Sequence, residues 1–317
     1  GEQAVIRKFT SYEESTNAGI PTVGVEIEVD IPSVGAVLKF KGATPLGTSA
    51  GTGEAIHLVD SIIEYSEHKD LIDKHPDMFQ KTEGGVYTFS KKINDAQVKA
   101  TQEAKLIELF RVASRYEGKG CLNAVNNVLT RIAPQFEGKN LTALTLRDID
   151  TTLLKMEKDL AVSRGKLSAG DTEAQQQVMQ RKQNLGMNAI LSVSLALARA
   201  VAHIQGKELY GLIREEIFSI IESLAKDNNV QIKGRETSDY INALREINDI
   251  LDKQNKPLFE ALRQETQLYS GNDPSSTKVA DQSKSQRRSL GDTKTNQPPA
   301  LERGWVIANH ILVSLHI

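Results

Sequence analysis

The sequence is poor in the residues that staple or anchor a chain. One cysteine in 317 residues, Cys121, excludes an internal disulfide and suits a reducing compartment. Aromatic residues make up only 5%, so a core has to be built from aliphatic side chains. There is no excess charge of either sign: 39 Lys and Arg face 41 Asp and Glu, for a formal charge of −2. Such a balance gives no field to draw nucleic acid or anionic lipid, and neither partner is expected. The opening GEQAVIRKF lacks the charged-then-apolar order of a signal peptide, and the longest apolar run is interrupted by Asn188, Ser192, Ser194 and Arg199. The expectation is a cytoplasmic protein with no membrane span. A hydrophobic content of 39% is enough for a core in one large or two ordinary domains.

The interrupted run, LGMNAILSVSLALARA over 185–200, is the stretch around which the chain is organised. It is apolar on nearly every face and carries no charge before Arg199, the pattern of a buried helix. Well before it, β-branched or alternating runs at 5–9, 21–30 and 36–41 are separated by turn-rich segments, which predicts a three-stranded antiparallel meander. Val23, Val25, Ile27 and Val29 share one face of the second strand, so that face needs a helical layer. The small-residue loop at 42–53 can approach a ligand closely, but it lacks the lysine of a phosphate-binding P-loop.

Residues 61–114 read as a helix over 61–74, a hairpin around Gly84-Gly85, and a helix over 94–113 striped by Val98, Leu106, Ile107, Leu109, Phe110 and Val112. His57, His68 and His75 have no carboxylate or cysteine at ligand spacing, so they read as ordinary histidines. Leu122, Val125, Val128, Leu129 and Ile132 predict a helix that Pro134 ends, and 141–157 predicts another that packs through Leu146, Ile149, Leu153, Leu154 and Met156. The polar piece at 163–184 reads as an exposed loop or a short solvated helix. Amphipathic helices follow at 213–224, 240–251 and 257–268, the second with Ile241, Leu244, Ile247 and Leu251 on one face. Residues 271–302 have the composition of a disordered linker.

Four segments, in order, resemble enolases: PTVGVEIEV at 21–29 their opening strand, PLGTSAGTGEA at 45–55 their PSGASTGxxEA loop, RYEGKGCLNAVNNV at 115–128 their GKGVLKAVxNV helix start, and 185–200 their LGANAILGVSLA segment. The resemblance implies an α+β fold, an enolase N-terminal-like domain with a three-stranded meander packed on helices. The expected organisation is this domain over 1–212 with an insertion at about 61–114, an all-helical extension over 213–270 and a flexible tail over 271–317. Insertions of this kind often make a partner contact, and a protein partner or a homo-oligomer is expected. In enolases the matching loop is a lid whose serine ligates the second magnesium. By resemblance the lid residues are Gly47, Thr48, Ser49, Ala50 and Gly51, with Ser49 the Mg²⁺ ligand.

The chain departs from the enolase pattern at Ala18, Ile20 and Gly24, where enolases carry Arg, Asn and the Glu of their dimer contact, so the ordinary dimer is not implied. Only 107 residues follow Tyr210, whereas an eight-stranded barrel takes about 250. No segment matches those that carry the enolase acid, base or carboxylate triad, so no catalytic residue is assigned. Conversion of 2-phosphoglycerate to phosphoenolpyruvate passes through a highly anionic enolate that needs two divalent cations and a lysine base. The resemblance brings Mg²⁺ with it, yet one hydroxyl would not hold that ion, and this chain alone is not expected to bind it. The expected role is a non-catalytic, enolase-related interaction or scaffold protein. The alternative is a component or truncated form of a phosphopyruvate hydratase, lending its Ser49 loop to a barrel on another chain.

Overall fold

The computed structural model describes residues 3–46 and 54–266, and the chain divides after Gly206 into two compact units. The fold is α+β, as expected. In the first unit β1 (Val5–Ser15), β2 (Pro21–Ile31) and β3 (Ala36–Ala43) form an antiparallel meander in the order β1-β2-β3. Its inner face carries Ile6, Val23, Val25, Ile27 and Val29, all fully buried. The outer face pairs charge with charge, Lys39 lying 3.7 Å from Glu26. At Gly24 the ring of Tyr12, its cross-strand partner, fills the space above the backbone; a Cβ there would stand 2.6 Å from a ring carbon.

Helix α8 (Met187–Ile204) is the layer the sheet requires. Its length and hydropathy would suffice to cross a membrane, but most of its surface is buried inside the protein. It reaches the sheet through small side chains, and at Gly42 backbone meets backbone: a Cβ would fall 2.0 Å from the carbonyl oxygen of Ser192 and 2.8 Å from the amide nitrogen of Ala196. The remaining helices of this layer are α4 (Leu122–Asn127), α5 (Ala133–Phe136), α6 (Leu146–Ser163) and α7 (Thr172–Arg181). Thr145 starts α6 with a reciprocal capping box to Asp148.

Three expectations need correction here. Pro134 does not end its helix: the run widens into a π-turn over Val128–Ile132 and passes through the proline, which sits in the first turn of α5 where an amide donor is not needed. At 156–157 it is Glu157 and not Met156 that α6 buries, and the polar stretch before α8, which forms the short helix α7, ends not exposed but in buried Lys182 and Asn184. The Glu157 carboxylate accepts from the amides of Asn184 and Leu185, both at 2.7 Å.

The insertion is a small module with its own core. It comprises β4 (Ile63–Glu64), α1 (Tyr65–Lys74), β5 (Phe79–Lys81), β6 (Val86–Phe89), α2 (Asp95–Ala100) and α3 (Ala104–Ser114), its sheet ordered β4-β6-β5. The expected single helix over 94–113 is two, broken where Gln102 adopts a left-handed φ of 56°. The stripe is used nonetheless, with Val98 and Leu106 buried against Ile63, Ile72 and Phe79. Ion pairs fasten the module to the rest of the unit. Arg164, at the end of α6, lies 2.7 Å from Glu67 and 3.4 Å from Glu64; Lys166 also pairs with Glu64, and Arg131 with Glu67.

The second unit contains α9 (Leu209–Asp227), α10 (Thr237–Lys253) and α11 (Leu258–Thr266), and no strand occurs among its described residues. The rings of Phe218 and Tyr240 stack at 3.8 Å, and the Tyr240 hydroxyl donates to Glu222 at 2.5 Å. The inner face of α10 is Tyr240, Ala243, Ile247 and Leu251, which keeps the last two of the expected stripe and replaces the first two, so Ile241 is exposed. The entries to α9 and α11 are alike: Gln205-Gly206-Lys207 and Gln254-Asn255-Lys256 each place a left-handed residue, φ 68° and 59°, ahead of a helix that starts at leucine.

Gly42→Ala should destabilise the first unit by about 3 kcal/mol, because neither backbone can retreat from the added methyl. A urea midpoint unchanged from the wild type would mean that α8 can slide on the sheet.

Candidate functional site

The lid residues assigned from sequence, Gly47, Thr48, Ser49, Ala50 and Gly51, lie outside the described residues, as does the tail over 271–317. The structure describes the two anchors between which that loop is strung. On the incoming side is Thr44, 1% exposed. Its hydroxyl donates to the carbonyl of Asn188 at 2.9 Å and lies 2.7 Å from the Ser192 hydroxyl, while its own carbonyl accepts from Thr22 at 2.7 Å. Ser192 is bonded in turn to the Val23 carbonyl at 2.8 Å. The strand leaving the sheet is thus tied to the first turns of α8.

On the outgoing side, alternate residues of 56–60 are each fixed to a different neighbour. Ile56 donates its amide to Arg181 at 2.7 Å and accepts from Met187 at 2.8 Å. Leu58 is held at both backbone groups by the fully buried Asn188 side chain, at 3.1 and 3.0 Å. Gly186, at φ 95°, lets Leu58 come this close, since a Cβ there would lie 2.6 Å from the leucine's own. Asp60, 1% exposed, caps α4 from a distance by accepting from the amides of Leu122 and Asn123 at 2.9 and 2.8 Å. Burial raises its pKa, against the lowering effect of those two bonds. Gly120 leaves room for the carboxylate, and Glu13 completes the corner by accepting from the Cys121 amide at 2.9 Å and pairing with Arg115. Burial pushes the Cys121 thiol up to about 12. That thiol is inert at neutral pH.

Sequence reading missed Thr44, Asn188 and Asp60. A polar residue set inside an otherwise apolar helix was the available signal for Asn188. His57 takes no part in these hydrogen bonds. Both its ring nitrogens are buried without a hydrogen-bond partner, and burial drives its pKa down to about 4. His75 instead pairs with Glu103 at 2.8 Å.

Among the described residues no group of three or more His, Cys, Asp or Glu is placed to hold a metal ion. Of the carboxylates around the outgoing anchor, Glu13 and Asp60 are spent on backbone amides and Arg115, while Glu54 is exposed at the edge of the loop. Ser49 could add one neutral oxygen. The described residues thus assemble no carboxylate cluster of the kind that holds Mg²⁺.

A β-β-β meander, a glycine-rich segment fastened at both ends to a buried small-residue helix, and a distally capped α4 give the chain's sequence a context for comparison. The relatives are enolases. The chain is 42% identical over 113 residues to the enolase of Thermococcus kodakarensis, covering 36% of this chain and 21% of that protein. It is 30% identical over 192 residues to the Methanopyrus kandleri enolase, covering 61% and 27%, and 38% identical over 113 residues to that of Thermococcus gammatolerans, covering 36% and 21%. The chain thus spans about a fifth to a quarter of the length of these enolases, and the likeness is to the N-terminal enolase-like domain. No protein-family profile matches it.

Asn188→Ala leaves the buried Leu58 amide without an acceptor and should cost about 2–3 kcal/mol. Native-state hydrogen exchange at Leu58 should quicken beyond the global loss; unchanged protection there would dismiss the clamp. The His57 imidazole gives a pH prediction with a definite sign. The unfolded chain takes up the proton near pH 6.5 and the folded chain only near pH 4, so the associated stability is complete above 6.5 and falls through that window by about 3 kcal/mol. Asp60 and Glu157, whose pKa values are raised by burial, act in the opposite sense, so the test is a difference. His57→Phe should flatten the acid limb relative to the wild type, and parallel profiles would show that the ring is not buried neutral.

Proposed function

We propose that this enolase-related protein works without catalysis, as an interaction or scaffold protein that keeps the lid-domain architecture. The observation that carries the reading is the character of the chain beyond Gly206: its described residues form α9, α10 and α11, where alternating strands and helices would be needed for a barrel site. Asp60 and Glu13 beside the outgoing anchor support it too, for both are consumed in holding backbone together. The insertion, with its separate core and ion-paired attachment, has the construction of a recognition module. Its partner would be another protein or a second copy of this chain.

A second reading has its own support in the two anchors. A loop tied at Thr44 and at Leu58 is presented from a fixed base, which suits a lid lent to a phosphopyruvate hydratase barrel on another chain, with Ser49 offered to that barrel's Mg²⁺.

The test is phosphoenolpyruvate formation from 2-phosphoglycerate by the purified full chain, with Mg²⁺ and with the metal chelated. No turnover in either condition is expected. Turnover that chelation abolishes and that Ser49→Ala lowers at least about a hundredfold would overturn the non-catalytic reading.

A further inference from the structure

Where the insertion joins the first unit there is a cleft of about 440 Å³ that no role discussed so far uses. Its size falls within the range of about 300–1,000 Å³ typical of small-molecule sites. The apolar wall is Phe89, Ile93 and Phe110, the two rings meeting edge to face at 5.0 Å. All three side chains are only half buried, although they border the core of the module. Thr88 adds a hydroxyl. Lys91 and Glu117 supply one charge of each sign, both exposed and neither with an ionic partner among the described residues.

The wall that carries Glu117 is held in an uncommon conformation. Tyr116, Glu117 and Gly118 have φ of 49°, 55° and 89°, three left-handed residues in succession, of which only the glycine adopts that region freely. The surroundings impose this: the Gly118 carbonyl accepts from the Ser61 amide at 3.3 Å, and Arg115 is bound to Glu13. A strained turn kept by its neighbours thus puts an unpaired carboxylate in the lining of the same cleft as the two rings.

We propose that this cleft binds a free aromatic amino acid as its zwitterion. The ring of the ligand lies against Phe89 and Phe110 in the offset or edge-on contact that aromatic pairs favour, its carboxylate meets Lys91, and its ammonium meets Glu117. Opposite unpaired charges at one rim select a molecule carrying both. A residue inside a peptide carries neither, and a chain terminus carries one.

The test is binding of L-phenylalanine to the full chain by isothermal titration, alongside 3-phenylpropionate, phenethylamine, N-acetylphenylalanine and phenylalaninamide. Saturable binding of L-phenylalanine is expected, with each single-charge analogue weaker by about tenfold or more. Lys91→Gln and Glu117→Gln should each weaken it by about tenfold, and both positions are exposed, so the fold, checked by circular dichroism, should not change. The proposal is overturned if L-phenylalanine shows no saturable binding, if a single-charge analogue binds as well, or if neither substitution alters the affinity.

Discussion

The first unit depends on how near a helix can come to a sheet. α8 lies on β3 with no side chain between them at Gly42, where the Ser192 carbonyl and the Ala196 amide occupy the space a Cβ would need. Packing at that distance brings dispersion contacts along the length of the helix, and it is available because the strand offers Gly42 where the helix passes with Ser192 and Ala196. It also removes water from the seam, so every polar group there needs an internal partner. The hydroxyls of Thr22, Thr44 and Ser192 and the amide of Asn188 are that set of partners. The polar residues that interrupt the apolar run are therefore what permits the close approach.

Around this seam the chain repeatedly uses a side chain remote in sequence to finish a local structure. Asp60 caps α4, Glu157 closes the turn before α8, and Glu13 holds the corner at Cys121. Each accepts from backbone amides, Asp60 and Glu157 buried and Glu13 half-buried. Lys182, buried and pushed down to about 8 by that burial, is opposed in this by the nearby negative charge of Glu157 and Asp150. These carboxylates are structural in use, which bears on chemistry, because a group already accepting two amides has little left to offer a metal.

Much of the fold was legible in the sequence, and the reasons are specific. Alternation marked the buried face of β2, and an apolar run with no charge before Arg199 marked α8, because both signals are set by burial alone. The failures came where a local rule met a tertiary accommodation. The π-turn that carries the helix through Pro134 has no signature in hydrophobic spacing. The break at Gln102 left the apolar stripe intact while dividing the helix, since α2 and α3 present Val98 and Leu106 to one core. Buried Glu157 and Lys182 could not be told from surface charges, because their partners are backbone groups and carboxylates supplied from far along the chain. At the candidate site, the loop was recognisable by its small residues, whereas Thr44, Asn188 and Asp60 acquire their importance only from what they touch.

The paired anchors at Thr44 and Leu58 have a consequence for how this part of the chain tolerates change. Both are fastened to Asn188, so the ends of the intervening segment are held at a fixed separation whatever lies between them. The entropy of closing a loop grows only by about 0.6 kcal/mol for each doubling of its length. Lengthening the segment between the two anchors therefore adds little to the closure entropy of the unit. A replacement loop of different sequence could be installed on the same two posts, which makes the first unit a natural frame for grafting.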